Sequence, residues 1–524
     1  MTQTNVDSKI QGLDYTSPNF DGDFRLLELS LHSRNNDAVV ELNSSSVFQQ
    51  MEIFEDIFSN VLKGTLTILD SQGLSELFPL IGDESLVVTF LTPGGEGTSN
   101  KDTTTSRDVI EETIRQRFQI YDCIEVGTQE RAKIYKLFFI SEEHVLNMKK
   151  RVSKAFKGKE YSRIVKELVN EFYGAHNVEF AKNLYVENTL SEQNIIVPNW
   201  SPFQAINFCA MRALSADIEP QDQTNSSDPL PPRPVGALFF FYEKLGAGFF
   251  FESIESLILK QKSSGRLPLY QYAPKLAQGK SGELPVGYFH VEKFEVDTSF
   301  KTLENLMFGA FGSRLIAYDP IRMKYENIKY DYYKQQNNQL VSKTEDGEMI
   351  TENPENLEDD SNRVFGDFVA TDVDPFDKKP NKFVSTDSYL LGSNDSSIRL
   401  ATTTRDHQTV LNDKEAKQNY VEKWLLQREA QVQEFDNVIV KFSVPGNTSR
   451  HVGDLIRFEM PTSIPDDDKD LSSVEIGHRL YSGNYIISRI RHNITQDSYD
   501  MDMEIMKNSY AKRIGGQRTE ETTS

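Results

Sequence analysis

Residues able to do chemistry are plentiful in this 524-residue chain, yet none stands at a spacing that chemistry requires. The eight histidines, His32, His144, His176, His290, His407, His451, His478 and His492, are scattered, and no two make the HxxxH pattern that turns both rings toward one metal ion. The run Asp466-Asp467-Asp468-Lys469-Asp470 lacks the glycine and the terminal glutamate of a calcium loop, so it reads as a solvated loop. Gly94-Gly95-Glu96-Gly97 has no phosphate-binding lysine after it, and no GxSxG nucleophile elbow occurs. With 79 acidic residues, spacing alone singles out no pair for general acid–base work. Lys149-Lys150-Arg151, Arg163 and Lys166 are the nearest approach to a basic patch and read as ordinary solvated surface. Cys123 and Cys209 both lie among apolar residues and read as two buried thiols; their number excludes a disulfide framework and a thiolate zinc site. The sequence thus assigns no catalytic, cofactor-binding or metal-binding residues, and the expectation is a protein that is not an enzyme and carries no cofactor.

Composition points the same way. A chain this long exceeds one core and implies several domains. A net charge of -22 disfavours coating nucleic acid, which needs Lys and Arg to displace counterions, but suits a channel wall along which DNA slides without sticking. The most apolar stretch, 237–251, is interrupted by Glu243, Lys244 and Gly246 and is too short to span a bilayer as a helix, so no membrane insertion is expected. Residues 1–10 lack the apolar core of a secretory signal.

The elements that would carry any site are mostly strands. Apolar alternation marks strands through 24–31, 38–42, 64–69, 85–91, 116–126 and 134–145, which suggests one antiparallel barrel. Tyr161, Ile164, Val165, Leu168, Val169 and Phe172 share one face of a helix between Gly158 and Gly174. Ser201 can cap, and Pro202 can open, a second helix carrying Ala205, Ile206, Cys209, Ala210 and Ala213. Phe239–Tyr242 and Phe249–Ser253 read as a hairpin. Further on, a helix is expected at 303–311, strands at 313–318 and 323–330, a helix at 412–432, and strands again from 438 to 506. The fold class is α+β and mostly β: two antiparallel β-barrel ring domains flanking an α/β insertion. The expected boundaries are an arm at 1–22, a first barrel at 23–150, the insertion at 151–285, and a mixed segment at 286–435 with a flexible acidic loop at 335–362. Strands completing the second barrel follow at 436–510, then a tail at 511–524. Leu66 and Ile68 share a strand face, Leu77 and Ile81 share a face of a short helix, and all four are expected to be buried.

Three segments carry a family resemblance. The first is Phe54 to Thr92, a strand, a compact corner and a strand. The second is Asn199-Trp200-Ser201-Pro202-Phe203-Gln204-Ala205-Ile206-Asn207, followed by Arg212-Ala213 and the aromatic hairpin. The third is Val444-Pro445-Gly446-Asn447-Thr448 with His451-Val452-Gly453-Asp454-Leu455-Ile456-Arg457-Phe458-Glu459-Met460-Pro461. In this order they resemble the baseplate hub proteins of contractile-tailed phages, whose hub is shared with type VI secretion spike proteins. The resemblance implies a virion structural protein, assembled in the host cytoplasm, that forms a homotrimer with a pseudo-sixfold ring between a sixfold tail tube and a threefold spike. The implied partners are the spike, the tube or its initiator, other baseplate proteins and the tape measure protein, with DNA passing through the lumen without specific binding. Interface candidates under this reading are Leu62, Thr65, Leu77, Ile81, Val444, Asn447 and Gly453. Two rival readings stand beside it. A tail-associated cell-wall-degrading enzyme would need an activated acid, base, nucleophile or metal, and no such set is visible. A type VI-like spike hub commonly continues into a β-helical needle, for which 507–524 is too short.

Overall fold

The computed structural model describes residues 24–33, 38–43, 47–92, 113–173, 182–216, 237–257, 267–272, 290–331, 398–402, 421–460 and 481–507, apart from a few positions within these ranges. Leu77, the arm at 1–22, the acidic stretch 335–362 and the tail at 511–524 lie outside them. The chain is mostly β with helices in its middle, the α+β class read from the sequence.

The first β-rich unit contains β1 (Arg25–His32), β2 (Val39–Glu41), β3 (Phe48–Asp56), β4 (Lys63–Asp70), β5 (Ser85–Leu91), β6 (Thr113–Gln129) and β7 (Ala132–Ser141), in the spatial order β3-β4-β7-β6-β5-β1-β2. All its pairings are antiparallel. Alternation does what the sequence leads one to expect: Leu66 and Ile68 of β4 are fully buried, with Leu66 directly between Met51 and Leu137. Gly64 in β4 is required by close approach, because a Cβ there would collide with the Glu52 carbonyl and the Phe139 ring.

The second β-rich unit is assembled from segments far apart in sequence: β13 (Leu269–Tyr272), β14 (His290–Val291), β15 (Phe294–Thr298), β19 (Val438–Pro445), β20 (Leu455–Glu459), β21 (Gly483–Thr495) and β22 (Tyr499–Lys507). The path runs β14-β13-β20-β21-β22-β19-β15. The two units are not closed barrels standing apart. Among the described residues no closed barrel is found: β3 of the first pairs antiparallel with β21 of the second, from Asp56↔Arg489 to Gln50↔Thr495, and all these strands belong to one fourteen-stranded sheet. In each unit a short segment nevertheless joins the two ends of the strand path: residues 42–47 link β2 to β3, and only two residues separate β14 from β15. One hydrophobic core, from Leu29 to Met506, runs under both units.

Between the units in sequence lies the α/β insertion. It comprises α1 (Glu142–Lys149), β8 (Val152–Lys159), α2 (Tyr161–Phe172), β9 (Asn183–Val186), β10 (Gln193–Trp200), α3 (Pro202–Ala210), β11 (Phe239–Lys244) and β12 (Gly248–Ser253). The apolar stripe of α2 packs with Ile206 of α3 on the rings of Phe241, Phe249 and Phe251. α3 starts in a capping box: the Ser201 hydroxyl accepts from the Gln204 N–H at 3.4 Å and the Gln204 side chain accepts from the Ser201 N–H at 3.0 Å, with Pro202 in the first turn. A fourth module holds α4 (Thr302–Phe308), β16 (Gly312–Asp319), β17 (Lys324–Asp331), β18 (Ile398–Thr402) and α5 (Val421–Phe435). Leu315 and Ala317 of β16 are buried with Leu426 and Ala430 of α5.

Candidate functional site

The turns singled out in the sequence, 444–448 and 451–454, are where the modules of this chain meet. Gly446 sits against the Tyr499 ring so closely that any Cβ would enter it, and its N–H donates to the Tyr499 carbonyl at 2.7 Å. The next residues reach the first unit, where the Thr448 and Thr92 hydroxyls are 2.6 Å apart and the Thr448 N–H donates to Thr92 Oγ1 at 3.1 Å. Gly453 has a φ of +83°, and a Cβ there would lie 2.8 Å from the Tyr242 hydroxyl of the insertion.

At the centre of this meeting point is Glu55, on β3. It lies in phase with the core residues Met51 and Ile53 and is itself almost fully buried. Its carboxylate accepts from the Leu245 N–H of the insertion at 2.9 Å and from the Val452 N–H of the second unit at 3.1 Å. His451 Nδ1 is 3.2 Å from it and His492 Nε2 is 3.5 Å away. Burial alone would push the Glu55 carboxyl up, but the His451 charge and its hydrogen bond, helped by His492, hold it far below the usual carboxylate range. Burial lowers His451 as well, and the Glu55 charge and hydrogen bond outweigh it, so His451 stands above its ordinary value. Around the pair, Asp454 accepts from the His451 N–H at 3.0 Å and from Lys244 Nζ at 3.3 Å. The Tyr242 hydroxyl donates to Glu252 at 2.8 Å, and Tyr499 OH is 2.7 Å from His492 Nδ1.

A second buried carboxylate fastens the insertion to the first unit. Glu243 of β11 accepts from the Leu62 N–H at 3.1 Å, Gln116 Nε2 at 2.8 Å and the Ser141 hydroxyl at 2.6 Å, and it pairs with Lys182 Nζ at 2.6 Å. Lys182 also pairs with Glu143 at 2.5 Å. Burial would lower Lys182, but Glu143 and Glu243 together hold it above its ordinary value and keep it charged.

The sequence-chosen interface residues are therefore placed as follows. Leu62, Val444, Asn447 and Gly453 are buried within the chain at these junctions. Thr65 is half-buried, its hydroxyl donating to Glu52 at 2.9 Å. Ile81 is 67% exposed, which corrects the expectation that it is buried; it follows Leu80 in an irregular stretch before β5 rather than lying on a helix. Cys209 is buried, but Cys123 is exposed, because β6 continues beyond the end of β5 and its residues 121–126 pair only with β7. Sequence reasoning passed over Glu55 and Glu243. Both had a signal: a carboxylate at a core-phase position of an otherwise alternating strand, and another inside the aromatic run of the hairpin. Other exposed apolar side chains include Tyr121, Ile124 and Val126 of β6 and, on one face of β16–β18, Tyr318 opposite Tyr325, Ile398 opposite Arg314 and Leu400 opposite Ile316. Among the described residues no group of three or more His, Cys, Asp or Glu could hold a metal ion, and no helix is long and apolar enough to cross a membrane.

No family model matches the sequence, and no curated protein matches it. Solved structures do resemble it. A tail protein from Neisseria meningitidis MC58 matches over 92% of this chain and 96% of its own, at 9% identity and a TM-score of 0.45. The 43 kDa tail protein of prophage MuSo2 from Shewanella oneidensis matches over 92% and 98%, at 8% identity and 0.42. An E. coli component of the type VI secretion system matches over 94% and 79%, at 8% identity and 0.35. The proteins it resembles are phage tail proteins and type VI components, the group to which the sequence resemblance points.

Proposed function

We propose that this chain is a structural hub of a phage tail baseplate: a homotrimer whose ring adapts a sixfold tail tube to a threefold central spike. The observation that carries the reading is the fusion of two β units, the first antiparallel throughout and the second antiparallel except at β14-β13-β20, into one sheet through β3 and β21. The seam is reinforced on its outer face, where Arg489 pairs with Asp56 at 3.2 Å and Arg491 pairs with Glu52. Two β units held at a fixed spacing in one chain, repeated three times around an axis, present six similar surfaces on one side and three on the other. A scaffold of this kind needs rigid joints rather than a reactive cleft, and the buried carboxylates of this chain are used as joints. In this reading the partners are two further copies, the spike, the tube or its initiator, neighbouring baseplate proteins and the tape measure protein. DNA passes through the lumen without specific contacts. The protein is assembled in the host cytoplasm, resides in the virion baseplate, and performs no catalysis.

Native mass measurement of the full chain, alone and mixed with its spike, tests the reading. The expected species is about three times the 59.9 kDa chain mass. A monomer that persists with the spike present overturns it, as does clearing of purified cell wall by the chain alone.

A further inference from the structure

We propose that the Glu55 cluster is a proton-dependent joint: with His451 protonated it locks the two β units and the insertion together, and with His451 neutral it releases them. The argument begins with topology. Glu55 belongs to the first unit, while its hydrogen-bond donors belong to the other two bodies, Leu245 N–H to the insertion and Val452 N–H to the second unit. One carboxylate thus holds three parts of the chain, and among the described residues the side chains that pair with it are His451 at 3.2 Å and the His492 ring at 3.5 Å. The other charged and titratable groups facing the cluster are Asp454 on the same turn as His451, buried Arg450 beside that turn and interacting with Asp454, Lys244 on β11, Glu252 on β12, Tyr242 on β11 and Tyr499 on β22. Lys244 is engaged by Asp454, Tyr242 by Glu252, and Tyr499 by His492, so none of them supplies Glu55 with a substitute positive charge.

A buried carboxylate whose counter-charge disappears is left in a low-dielectric site with dipoles alone, a strongly unfavourable state. The cheapest relief is for the turn 451–454 and the residues around Leu245 to move away and admit water. The sign follows from linkage. His451 is raised above its ordinary value in the folded chain, so its contribution is fully present below about pH 6.5 and is lost as pH rises through the raised value. Glu55 remains charged throughout that range, and burial holds Tyr242 and Tyr499 well above it, so the two tyrosines stay silent.

Hydrogen exchange of the full chain, resolved to single amides and corrected for the intrinsic pH dependence of exchange, reads the joint directly. Between pH 6 and pH 9 the protection factors of the Leu245 and Val452 amides should fall by on the order of tenfold or more. Those of Val165 and Leu168 in α2, away from the joint, should not change. In Glu55→Gln, which carries no charge and keeps an acceptor oxygen for one of the two amides, the pH dependence at Leu245 and Val452 should vanish. Should that variant fail to fold, His451→Gln read at the same amides is expected to give low protection at both pH values with no slope. Protection in the parent that does not change from pH 6 to pH 9 overturns the proposal, and so does an undiminished slope in either variant.

Discussion

Replacing Leu66 by Ala tests the packing of the first unit at its best-defined point. The side chain is fully buried, and so are its two cross-strand neighbours, Met51 on β3 and Leu137 on β7. β4 is hydrogen-bonded on both sides, so the backbone cannot close over the space left behind. Removing three carbons forfeits roughly 2.4 kcal/mol at about 0.8 kcal/mol per buried methylene. The unrelaxed cavity adds to that, which puts the total at about 3–5 kcal/mol. For a cooperative unit of 150–250 residues, each kcal/mol lowers Tm by roughly 2–4 °C, so a shift on the order of 10 °C is expected. Thermal and urea unfolding followed by circular dichroism provide the measurement. Thr67→Ala, one residue along on the opposite and half-buried face, should cost clearly less. A Leu66→Ala protein with the parent's midpoint would refute the claim that β3, β4 and β7 enclose a dry core.

Four further outcomes are expected. Ile81→Asp should leave the unfolding midpoint within about 0.5 kcal/mol of the parent, because the side chain is largely in solvent; a large loss would mean it is buried against something. Gly446→Ala should destabilise the chain at least as much as Leu66→Ala, since the added methyl must displace the buried Tyr499 ring; an unchanged midpoint in urea would contradict that contact. A thiol reagent should modify one cysteine per native chain, at Cys123, and Cys209 only after unfolding, its thiol being pushed up to about 12 by burial; peptide mapping of the labelled protein decides between them. Glu243→Ala should leave the Leu62 N–H without its buried acceptor and Lys182 with Glu143 alone, and so loosen the insertion, which limited proteolysis between the first unit and the insertion would reveal.

Much of the fold could be read from local pattern because period is a local property. The 3.6-residue stripe from Tyr161 to Phe172 and the Ser201-Pro202 start signal each lie within one element, and both helices form where those signals fall. Alternation located β4, but it could not tell core from solvent along β6. Tyr121, Ile124 and Val126 look like buried strand residues, yet they stand where the neighbouring strand has ended. The turns around Gly446 and Gly453 were legible as turns. What they pack against was not, because the Tyr499 ring and the Tyr242 hydroxyl are brought there by other modules. Glu55 and His451 are separated by 396 residues, so no window along the chain contains the pair. Of the residues chosen as contacts with other subunits, Leu62, Val444, Asn447 and Gly453 are buried against the chain itself, and Asn447 and Gly453 stood out because glycines and small polar residues mark close approach, whichever surface approaches.

The seam between β3 and β21 also imposes an order in time. Asp56 and Arg489 face each other across 433 residues. At roughly 5–20 residues per second, a ribosome needs on the order of 20–90 seconds to reach β21 after releasing β3. Throughout that interval the N-terminal unit carries an open strand edge with Met51 and Ile53 beside it, a template on which two nascent chains can join wrongly. A chain interrupted before residue 483 never acquires the strand that covers this edge, so truncated products should clump while full-length ones stay apart. The long middle of the protein is thus a delay as well as a spacer, and a cell making this protein at speed has reason to shield its first 140 residues with a chaperone until the last 40 emerge.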